Sequence, residues 1–208
     1  DYVNEDSYPI DDHGHGTQVA GIIAANSNQI GIAGIDLNAK ILPIKVANSK
    51  GEFSLSNIVA GIYGAIDYGA DIINMSYAGY TRNELEQEAL WVAHQAGIVL
   101  VAAAGNDSTD EWTYPASYNG VISVTATDYD DQSTTFSNYG QWIDVGAPGI
   151  NIYSTNKSGT YSSDNGTSFS APIVSGLAAL VKSVHPDWTP VEIEWAIEEG
   201  AVHQRNAI

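Results

Sequence analysis

Residues 165–172 read Asn-Gly-Thr-Ser-Phe-Ser-Ala-Pro and lead directly into an apolar segment with helical spacing. Two apolar stripes repeat along this segment, one of Ile173, Leu177, Leu180 and Val184, the other of Val174, Ala178 and Val181. A helix that is apolar on both sides is predicted to be buried. Pro172 suits its first turn, where a missing N–H is harmless. The sequence therefore predicts a core helix around which the rest of the chain is organised.

Ser168 is predicted to lie near the N-terminus of this helix. The unpaired amides and the positive end of the helix dipole favour developing negative charge there. A hydroxyl in that position can be a nucleophile if a base lies within hydrogen-bond reach. The alternative is that Ser168 only caps the helix.

Two further segments give Ser168 a context. Residues 12–21 read Asp-His-Gly-His-Gly-Thr-Gln-Val-Ala-Gly, and residues 102–107 read Ala-Ala-Ala-Gly-Asn-Asp. Together with Gly-Thr-Ser-Phe-Ser-Ala-Pro, and in this order, these segments resemble the motifs of the subtilisin-like serine proteases, or subtilases. The likeness extends from residue 1 to about residue 200. It implies a subtilisin-like fold and hydrolysis of peptide bonds.

Length and charge restrict the protein class. The chain has 208 residues, enough for one domain, which we predict over residues 1–208. Its 25 acidic and 7 basic residues give a net charge of −18, which argues against nucleic acid or a membrane as partner. The acidic excess and the family resemblance favour a secreted protein. The chain starts at Asp1, which suggests a piece of something longer.

The fold class follows from alternating segments. Short runs rich in Ile and Val, at residues 40–46, 71–76, 98–103 and 121–126, alternate with helical patterns near residues 56–68 and 83–96. This alternation predicts an α/β fold, a three-layer parallel sheet with helices on both faces. Asn83 is a predicted N-cap, Gly97 a predicted helix stop, and Thr189-Pro-Val-Glu a predicted capping box.

His15 is the candidate general base, since a neutral imidazole can accept the Ser168 proton near neutral pH. It lies at the start of a segment with helical spacing, residues 15–25. Two alternatives are a core histidine and a metal pair formed with His13. The metal pair lacks a third ligand cluster elsewhere in the sequence.

Asn106 is the candidate oxyanion stabiliser by the resemblance. It follows a predicted strand, at the end of the sheet where ligands bind in α/β folds. Its amide and the Ser168 N–H would hold the negative oxygen of a tetrahedral intermediate. The alternative is an ordinary Gly-Asn turn. Asp107 and Thr113 are weaker candidates for the floor of the substrate pocket.

The resemblance also implies a groove for an extended peptide. Its walls would be Ser76, Tyr77 and Ala78 on one side, Ala103, Ala104 and Gly105 on the other, and the Gly51 segment at a second edge. Main-chain pairing of this kind needs small residues more than particular side chains. Ala78 stands where the family usually has glycine, so its methyl group would narrow the pocket. The alternative is that these segments are plain strand ends.

A calcium site is implied by the loop at residues 26–32. By the resemblance, its ligands would be the Asn28 side chain and the carbonyls of Asn26, Ile30 and Ile32, because calcium prefers oxygen. We predict a structural Ca²⁺, although the family's remaining ligands come from segments before Asp1. The alternative is a surface turn.

The family's triad aspartate has no counterpart here. It occurs in an Asp-[Ser/Thr]-Gly turn, and nothing before His15 has that form. Asp1, Asp6, Asp11 and Asp12 lie in a segment that resembles the one after the aspartate. The family's last strand is also missing after Gly200, so the domain is predicted to be truncated at both ends. Either a second chain or propeptide supplies the missing strand, or the domain is incomplete.

The predicted function is that of a serine endopeptidase working through an acyl-enzyme, with Ser168, His15 and Asn106 as catalytic residues. The alternative is a weakly active or inactive pseudoprotease that keeps a peptide groove. An esterase is disfavoured because residues 166–170 lack the final glycine of a Gly-x-Ser-x-Gly elbow.

Overall fold

The structure, a computed structural model, describes residues 1–202. The helices are α1 His15–Ala24, α2 Leu55–Asp67, α3 Glu84–Gln95, α4 Thr167–Val184 and α5 Pro190–Gly200. The strands are β1 Ile72–Met75, β2 Val99–Ala103, β3 Val121–Thr127, β4 Val145–Pro148, β5 Ile152–Asn156 and β6 Thr160–Asp164.

Strands β1 to β4 form a parallel sheet in the order β1-β2-β3-β4, and β5 pairs with β6 as an antiparallel hairpin. Strand β2 shows how the sheet is covered. Leu100 and Ala102 join the core with α2 and α3, whereas Val99, Val101 and Ala103 join the core with α4 and α5. Successive side chains of a strand point to opposite faces, so both faces are buried. The predicted three-layer α/β fold is confirmed.

The predicted helix ends are confirmed by their hydrogen bonds. The Asn83 side chain accepts from the amides of Leu85 and Glu86, and caps α3. Gly97 follows that helix with a φ of 88°, a conformation that favours glycine. Thr189 and Glu192 form a capping box at the start of α5.

Two predictions about α4 are wrong. Pro172 lies inside the helix, because α4 already begins at Thr167. The stripe that includes Leu177 and Val184 is not buried, since these side chains are 40% and 71% exposed. The other stripe is buried, with Val174 and Ala178 against the sheet. Although α4 is long and apolar enough to cross a membrane, it contacts all four strands of the parallel sheet.

Residues 40–46 do not form the predicted strand. Within residues 1–202 this segment has no strand beside it, and Lys45 accepts its backbone hydrogen bond from Tyr2. A strand requires a ladder of such bonds with a neighbour. Between this segment and the outer edge of β1 lies a cleft of about 2040 Å³, whose lining includes α2 and His15.

Strands β4, β5 and β6 were not predicted. Strand β4 contains Gly146 and Pro148, and β5 and β6 are rich in serine and threonine rather than in Ile and Val, so the sequence pattern was weak. The sequence also predicted that no strand follows Gly200. Residues 203–208, to which this prediction applies, are outside the described residues.

Candidate active site

Ser168 is the second residue of α4, directly after Gly166 and Thr167. The amides of the first helical turn have no partner within their own helix. Within residues 1–202 the Ser168 amide makes no hydrogen bond, and it can therefore donate to an incoming negative oxygen. Gly166 has a φ of 144°, which favours glycine and lets the chain turn into the helix.

The Asn106 side chain lies against the start of α4. Its Oδ1 accepts from the Thr167 amide at 2.8 Å and from the Thr167 hydroxyl at 3.1 Å. The Thr167 hydroxyl in turn accepts from the amide of Gly105 at 3.1 Å. Because the oxygen of the carboxamide is occupied, the Nδ2 group remains as a hydrogen-bond donor. Thr167 was not singled out from the sequence, although its place between Gly166 and Ser168 was a usable signal.

The nucleophile candidate contacts the segment predicted to bind substrate. The Ser168 hydroxyl donates to the backbone carbonyl of Ser76 at 3.2 Å, and the Ser76 hydroxyl donates to the carbonyl of Ser168 at 2.8 Å. Ser76 directly follows β1. The carboxyl ends of β1 and β2 and the N-terminus of α4 therefore meet around Ser168.

His15 is the first residue of α1, and its ring approaches the same end of α4. The ring lies edge-on to Phe169 at a centroid distance of 5.7 Å, and 6.3 Å from the ring of His13. Neither ring nitrogen has a hydrogen-bond partner among residues 1–202. Burial and the charge of His13 lower the pKa of His15, against smaller opposing effects of Asp11 and Asp164. The base candidate contacts Phe169, the residue after the nucleophile candidate, and no carboxylate within residues 1–202 orients it.

Asp11 does not orient His15, because its oxygens are occupied elsewhere. Oδ1 accepts from the amides of His13 and Gly14, and Oδ2 accepts from the amide and the hydroxyl of Thr17. Burial would raise the pKa of Asp11, but these hydrogen bonds outweigh it and the pKa is lowered. Asp11 thus fixes the loop that carries His15 at the start of α1. The sequence analysis did not recognise this support.

The loop before His15 is also held from two sides by lysines. Lys45 forms an ion pair with Asp12 at 2.7 Å and donates to the carbonyl of Ala47. Lys157 donates to the backbone carbonyl of Asp12. The position of His15 is therefore well defined, even though its ring nitrogens are free.

The segments predicted to bind substrate lie beside one another. The ring of Phe53, close to Gly51, packs against the ring of Tyr77 in a tilted arrangement, with the ring centroids 5.1 Å apart. A Cβ added to Gly51 would lie 3.2 Å from Nε2 of His13, and the φ of Gly51 is 77°. The structure therefore brings the Gly51 segment next to the Ser76–Tyr77–Ala78 segment and near His15.

The third predicted segment, Ala103, Ala104 and Gly105, is buried at the end of β2. The carbonyl of Ala104 accepts from the Thr113 hydroxyl at 2.7 Å and from Nδ2 of Asn138 at 3.0 Å. Tyr80, two residues after Ala78, donates its hydroxyl proton to Asp107, two residues after Gly105, at 2.7 Å. This hydrogen bond links the two predicted walls of the groove. Asn138 was missed by the sequence analysis because it is 34 residues from Ala104 and belongs to no motif.

The loop predicted to bind calcium follows α1 and is separate from Ser168 in the chain and in its contacts. The side-chain oxygen of Asn28 accepts from the amide of Ile30 at 3.2 Å, and the Ile30 carbonyl accepts from Tyr161 at 3.4 Å. Asn26, Asn28, Ile30 and Ile32 offer four oxygens and no carboxylate. Calcium takes about six to eight oxygens, so the donor chemistry fits but the set is partial.

A different acidic group lies between the segment before β4 and α5. Within residues 1–202, Asp144, Glu194 and Glu198 bring carboxylate oxygens within 4.8 Å of one another. Burial, together with the charges of Asp144 and Glu198, raises the pKa of Glu194 to about 7. The sequence analysis missed this group because Asp144 is far in the chain from the two glutamates on α5.

Comparisons with known proteins identify the family of this chain. A model of the subtilase family matches residues 1–207. Subtilisin DY of Bacillus licheniformis is 44% identical over 189 residues, which are 89% of this chain and 69% of that protein. A thermostable alkaline protease of Halalkalibacterium halodurans is 42% identical over 200 residues, which are 96% of this chain and 55% of that protein.

A cold-adapted subtilisin-like serine proteinase of known crystal structure superposes with a TM-score of 0.93 at 30% identity. The superposition covers 100% of this chain and 75% of that one. The chain thus spans a part of its relatives, 55% and 69% of the two proteases named above. It is homologous to the subtilisin serine proteases, and it belongs to the subtilase family.

Proposed function

We propose that this chain is the catalytic part of a serine endopeptidase that cleaves peptide bonds through an acyl-enzyme. The observation that carries the proposal is the orientation of Asn106. Its oxygen is occupied by Thr167, so its Nδ2 group and the free Ser168 amide are two donors beside one hydroxyl. Two such donors can stabilise the oxyanion of a tetrahedral intermediate.

The chemistry follows from these positions. The Ser168 hydroxyl attacks the peptide carbonyl and its proton passes to His15, while the oxyanion is held by Asn106 and the Ser168 amide. His15 then gives that proton to the leaving amine as the C–N bond breaks, and an acyl-enzyme remains. Water, deprotonated by the same imidazole, hydrolyses the ester and restores Ser168.

The substrate of this reaction is an extended peptide or protein segment. It pairs through its main chain with Ser76, Tyr77 and Ala78 and with the Gly51 segment, against the wall formed by Ala103, Ala104 and Gly105. The contact between the rings of Phe53 and Tyr77, which joins the first two segments side by side, supports this proposal.

The carboxylate that orients His15 comes from an extended segment in the cleft beside β1. Three observations support this. The outer edge of β1 is unpaired within residues 1–202, the cleft is lined by His15 at one end, and Ile41 and Leu42 on its far side are 42% and 41% exposed. A strand inserted there would pair with β1 and cover these side chains. A second chain or a propeptide can supply it.

Two further proposals follow from the family resemblance. The protein is secreted, as the acidic excess and the absence of cysteine allow. The loop at residues 26–32 contributes oxygens to a structural calcium ion whose remaining ligands come from outside that loop.

A second candidate function is a pseudoprotease that binds peptides without turnover. It is favoured by the unpaired ring nitrogens of His15 and by the Ser168 hydroxyl, which is turned to the Ser76 carbonyl instead of to His15.

Labelling with a fluorophosphonate separates the two candidates, because only an activated serine reacts. We expect the chain to label, the Ser168→Ala variant not to label, and the Ser183→Ala variant, an exposed serine on the same helix, to label normally. Absence of labelling under conditions that label subtilisin DY would favour the pseudoprotease. Intact-mass analysis and N-terminal sequencing of the protein from its source would show whether a second polypeptide accompanies it.

A further inference from the structure

Pro172 leaves one helical hydrogen bond unmade, and the missing bond belongs to Ser168. In an α-helix each amide donates to the carbonyl four residues earlier, so the amide of residue 172 would donate to the carbonyl of Ser168. Proline has no N–H. Pro172 lies inside α4 and is fully buried, so water does not replace the donor at that position. The carbonyl of the nucleophile candidate therefore needs a donor from outside its helix.

Ser76 supplies that donor through a directed chain of hydrogen bonds. The Ser175 hydroxyl donates to Oδ1 of Asn74 at 2.9 Å, and Nδ2 of Asn74 donates to the Ser76 hydroxyl at 2.9 Å. The Ser76 hydroxyl donates to the Ser168 carbonyl at 2.8 Å. The hydroxyls of Ser175 and Ser76 each have one proton, and each donates it to the next acceptor in this series. The chain starts on α4, crosses to β1 and returns to α4 seven residues before its starting point.

The burial of the starting point fixes the direction of this chain. Ser175 is 2% exposed, and its hydroxyl donates to Asn74. Asn74 lies in β1, so a strand of the core sheet orients its carboxamide. An Asn74 carboxamide held in this way presents its Nδ2 group to Ser76, and the Ser76 hydroxyl proton is left for the Ser168 carbonyl.

Ser168 is thereby held on both sides. The peptide unit that carries the Ser168 amide, Thr167–Ser168, lies between two held units: the one before it donates the Thr167 amide to Asn106, and the one after it accepts from Ser76 through the Ser168 carbonyl. These two contacts set the direction of the Ser168 amide, which is one of the two proposed oxyanion donors. A rotation of this peptide by a small angle would move the amide away from the oxyanion.

We propose that the side chain of Ser76 is a positioning residue, which holds the Ser168 carbonyl left free by Pro172 and so aims the Ser168 amide at the oxyanion. This inference rests on the proposed function, since the amide matters only if an oxyanion forms. It assigns Ser76 a role for its hydroxyl beyond the main-chain contact with substrate.

The test uses Pro172, whose missing N–H leaves the Ser168 carbonyl without a donor from its own helix. In Ser76→Ala the Ser168 carbonyl loses its donor, and fluorophosphonate labelling should slow by about tenfold. The loss of a hydrogen bond to a buried acceptor corresponds to a change of about that size. In the double variant with Pro172→Ala, the new amide at residue 172 can donate to the same carbonyl, and the labelling rate should recover to within about threefold of the parent. Ser76→Thr, which keeps the hydroxyl, should also retain labelling.

Two further measurements separate positioning from general damage to the fold. Ser183→Ala is the matched control, because Ser183 is an exposed residue on the same helix and its hydroxyl donates to the backbone carbonyl of Leu180. The ¹³C shift of the Ser168 carbonyl reports its hydrogen bond without any chemistry. It should move in Ser76→Ala and return in the double variant.

Each outcome decides something different. Unchanged labelling in Ser76→Ala, or a slow rate that Pro172→Ala does not restore, would overturn the role of Ser76. If the parent itself does not label, the proposed function fails, and the carbonyl shift alone then decides whether Ser76 holds the Ser168 carbonyl.

Discussion

The two halves of the candidate site differ in how much of the chain supports them. Around Ser168, the side chains of Asn106, Thr167 and Ser76 are all paired with one another or with the backbone of α4. Around His15, the loop is well held by Asp11 and Lys45, but the imidazole nitrogens have no partner within residues 1–202. The first half is closed, and the second opens onto the cleft beside β1.

This difference shows that the two halves have different physical origins. The oxyanion half is formed where β2 ends and α4 begins, so two elements of the core fix it directly. The orientation of the histidine requires a charged acceptor for its second nitrogen, which no described residue provides. Placing a candidate base beside a candidate nucleophile and orienting that base are therefore separate requirements, and residues 1–202 contain no carboxylate that orients His15.

The largest effect should come from completing the histidine half. Extending the chain with the aspartate-bearing strand of subtilisin DY should raise kcat for a chromogenic peptide by up to about 3 × 10⁴-fold, the loss recorded when subtilisin lacks its aspartate. This magnitude is carried over from subtilisin and does not follow from the present distances. The measurement is steady-state hydrolysis at equal protein concentration.

The matched control for this experiment carries the same strand with the aspartate changed to alanine. That variant should fill the cleft and raise the melting temperature without the gain in kcat. Equal kcat values for the two extended forms would mean that a missing carboxylate beside His15 does not limit the rate. The difference between the two halves of the site would then have no effect on activity.

A smaller loss should follow from opening the closed half. Asn106→Leu removes the Nδ2 donor and should lower kcat or the labelling rate by about 10²–10³-fold, again a value known from subtilisin. Asn119→Leu, an exposed asparagine outside the site, serves as control. If Asn106→Leu retains full activity, Asn106 is an ordinary turn residue and the oxyanion proposal fails.

The pH dependence of labelling should report the environment of His15. Labelling requires the neutral imidazole, so the rate should rise with pH through the pKa of His15, which burial and the His13 charge lower from its usual value of about 6.5. Replacing His13 by glutamine removes a repelling charge, so the pKa should rise and the rising limb should move to higher pH.

Asp164→Asn should shift the same limb in the opposite direction, because the negative charge of Asp164 raises the pKa of His15. His185→Gln, at the far end of α4, should leave it in place. If the pH at which the labelling rate rises is the same in the His13 and Asp164 variants as in the parent, labelling does not depend on the protonation of His15.

The sequence predicted the parts of the fold that local patterns determine. The caps Asn83 and Thr189 were correct because a polar side chain three residues from an amide is a local signal. The buried strands were correct because they are continuous apolar runs. Residues 40–46 are also rich in Ile and Val but have no neighbouring strand within residues 1–202, and composition cannot reveal whether a partner strand exists.

The site was predicted in the same uneven way. The motifs around His15, Asn106 and Ser168 identified the residues through family resemblance, and the structure brings them to one end of α4. The supporting contacts of Asn138 and Ser76 depend on segments that meet only in the folded chain, whereas Asp11 holds residues that lie close to it in the sequence. Pro172 was assigned to the first turn because the sequence does not show where the helix starts, and its effect on the Ser168 carbonyl was therefore invisible.

The smallest expected effect concerns the loop at residues 26–32, which follows α1, the helix that begins with His15. Its four oxygens fit calcium but do not complete a site, so millimolar calcium should raise the melting temperature only slightly relative to EGTA. Asn28→Ala removes a side-chain ligand and should abolish this difference. Asn26→Ala keeps the proposed carbonyl ligand and should preserve it. If the calcium effect is the same in Asn28→Ala as in the parent, the ion binds elsewhere, and this loop is an ordinary surface turn.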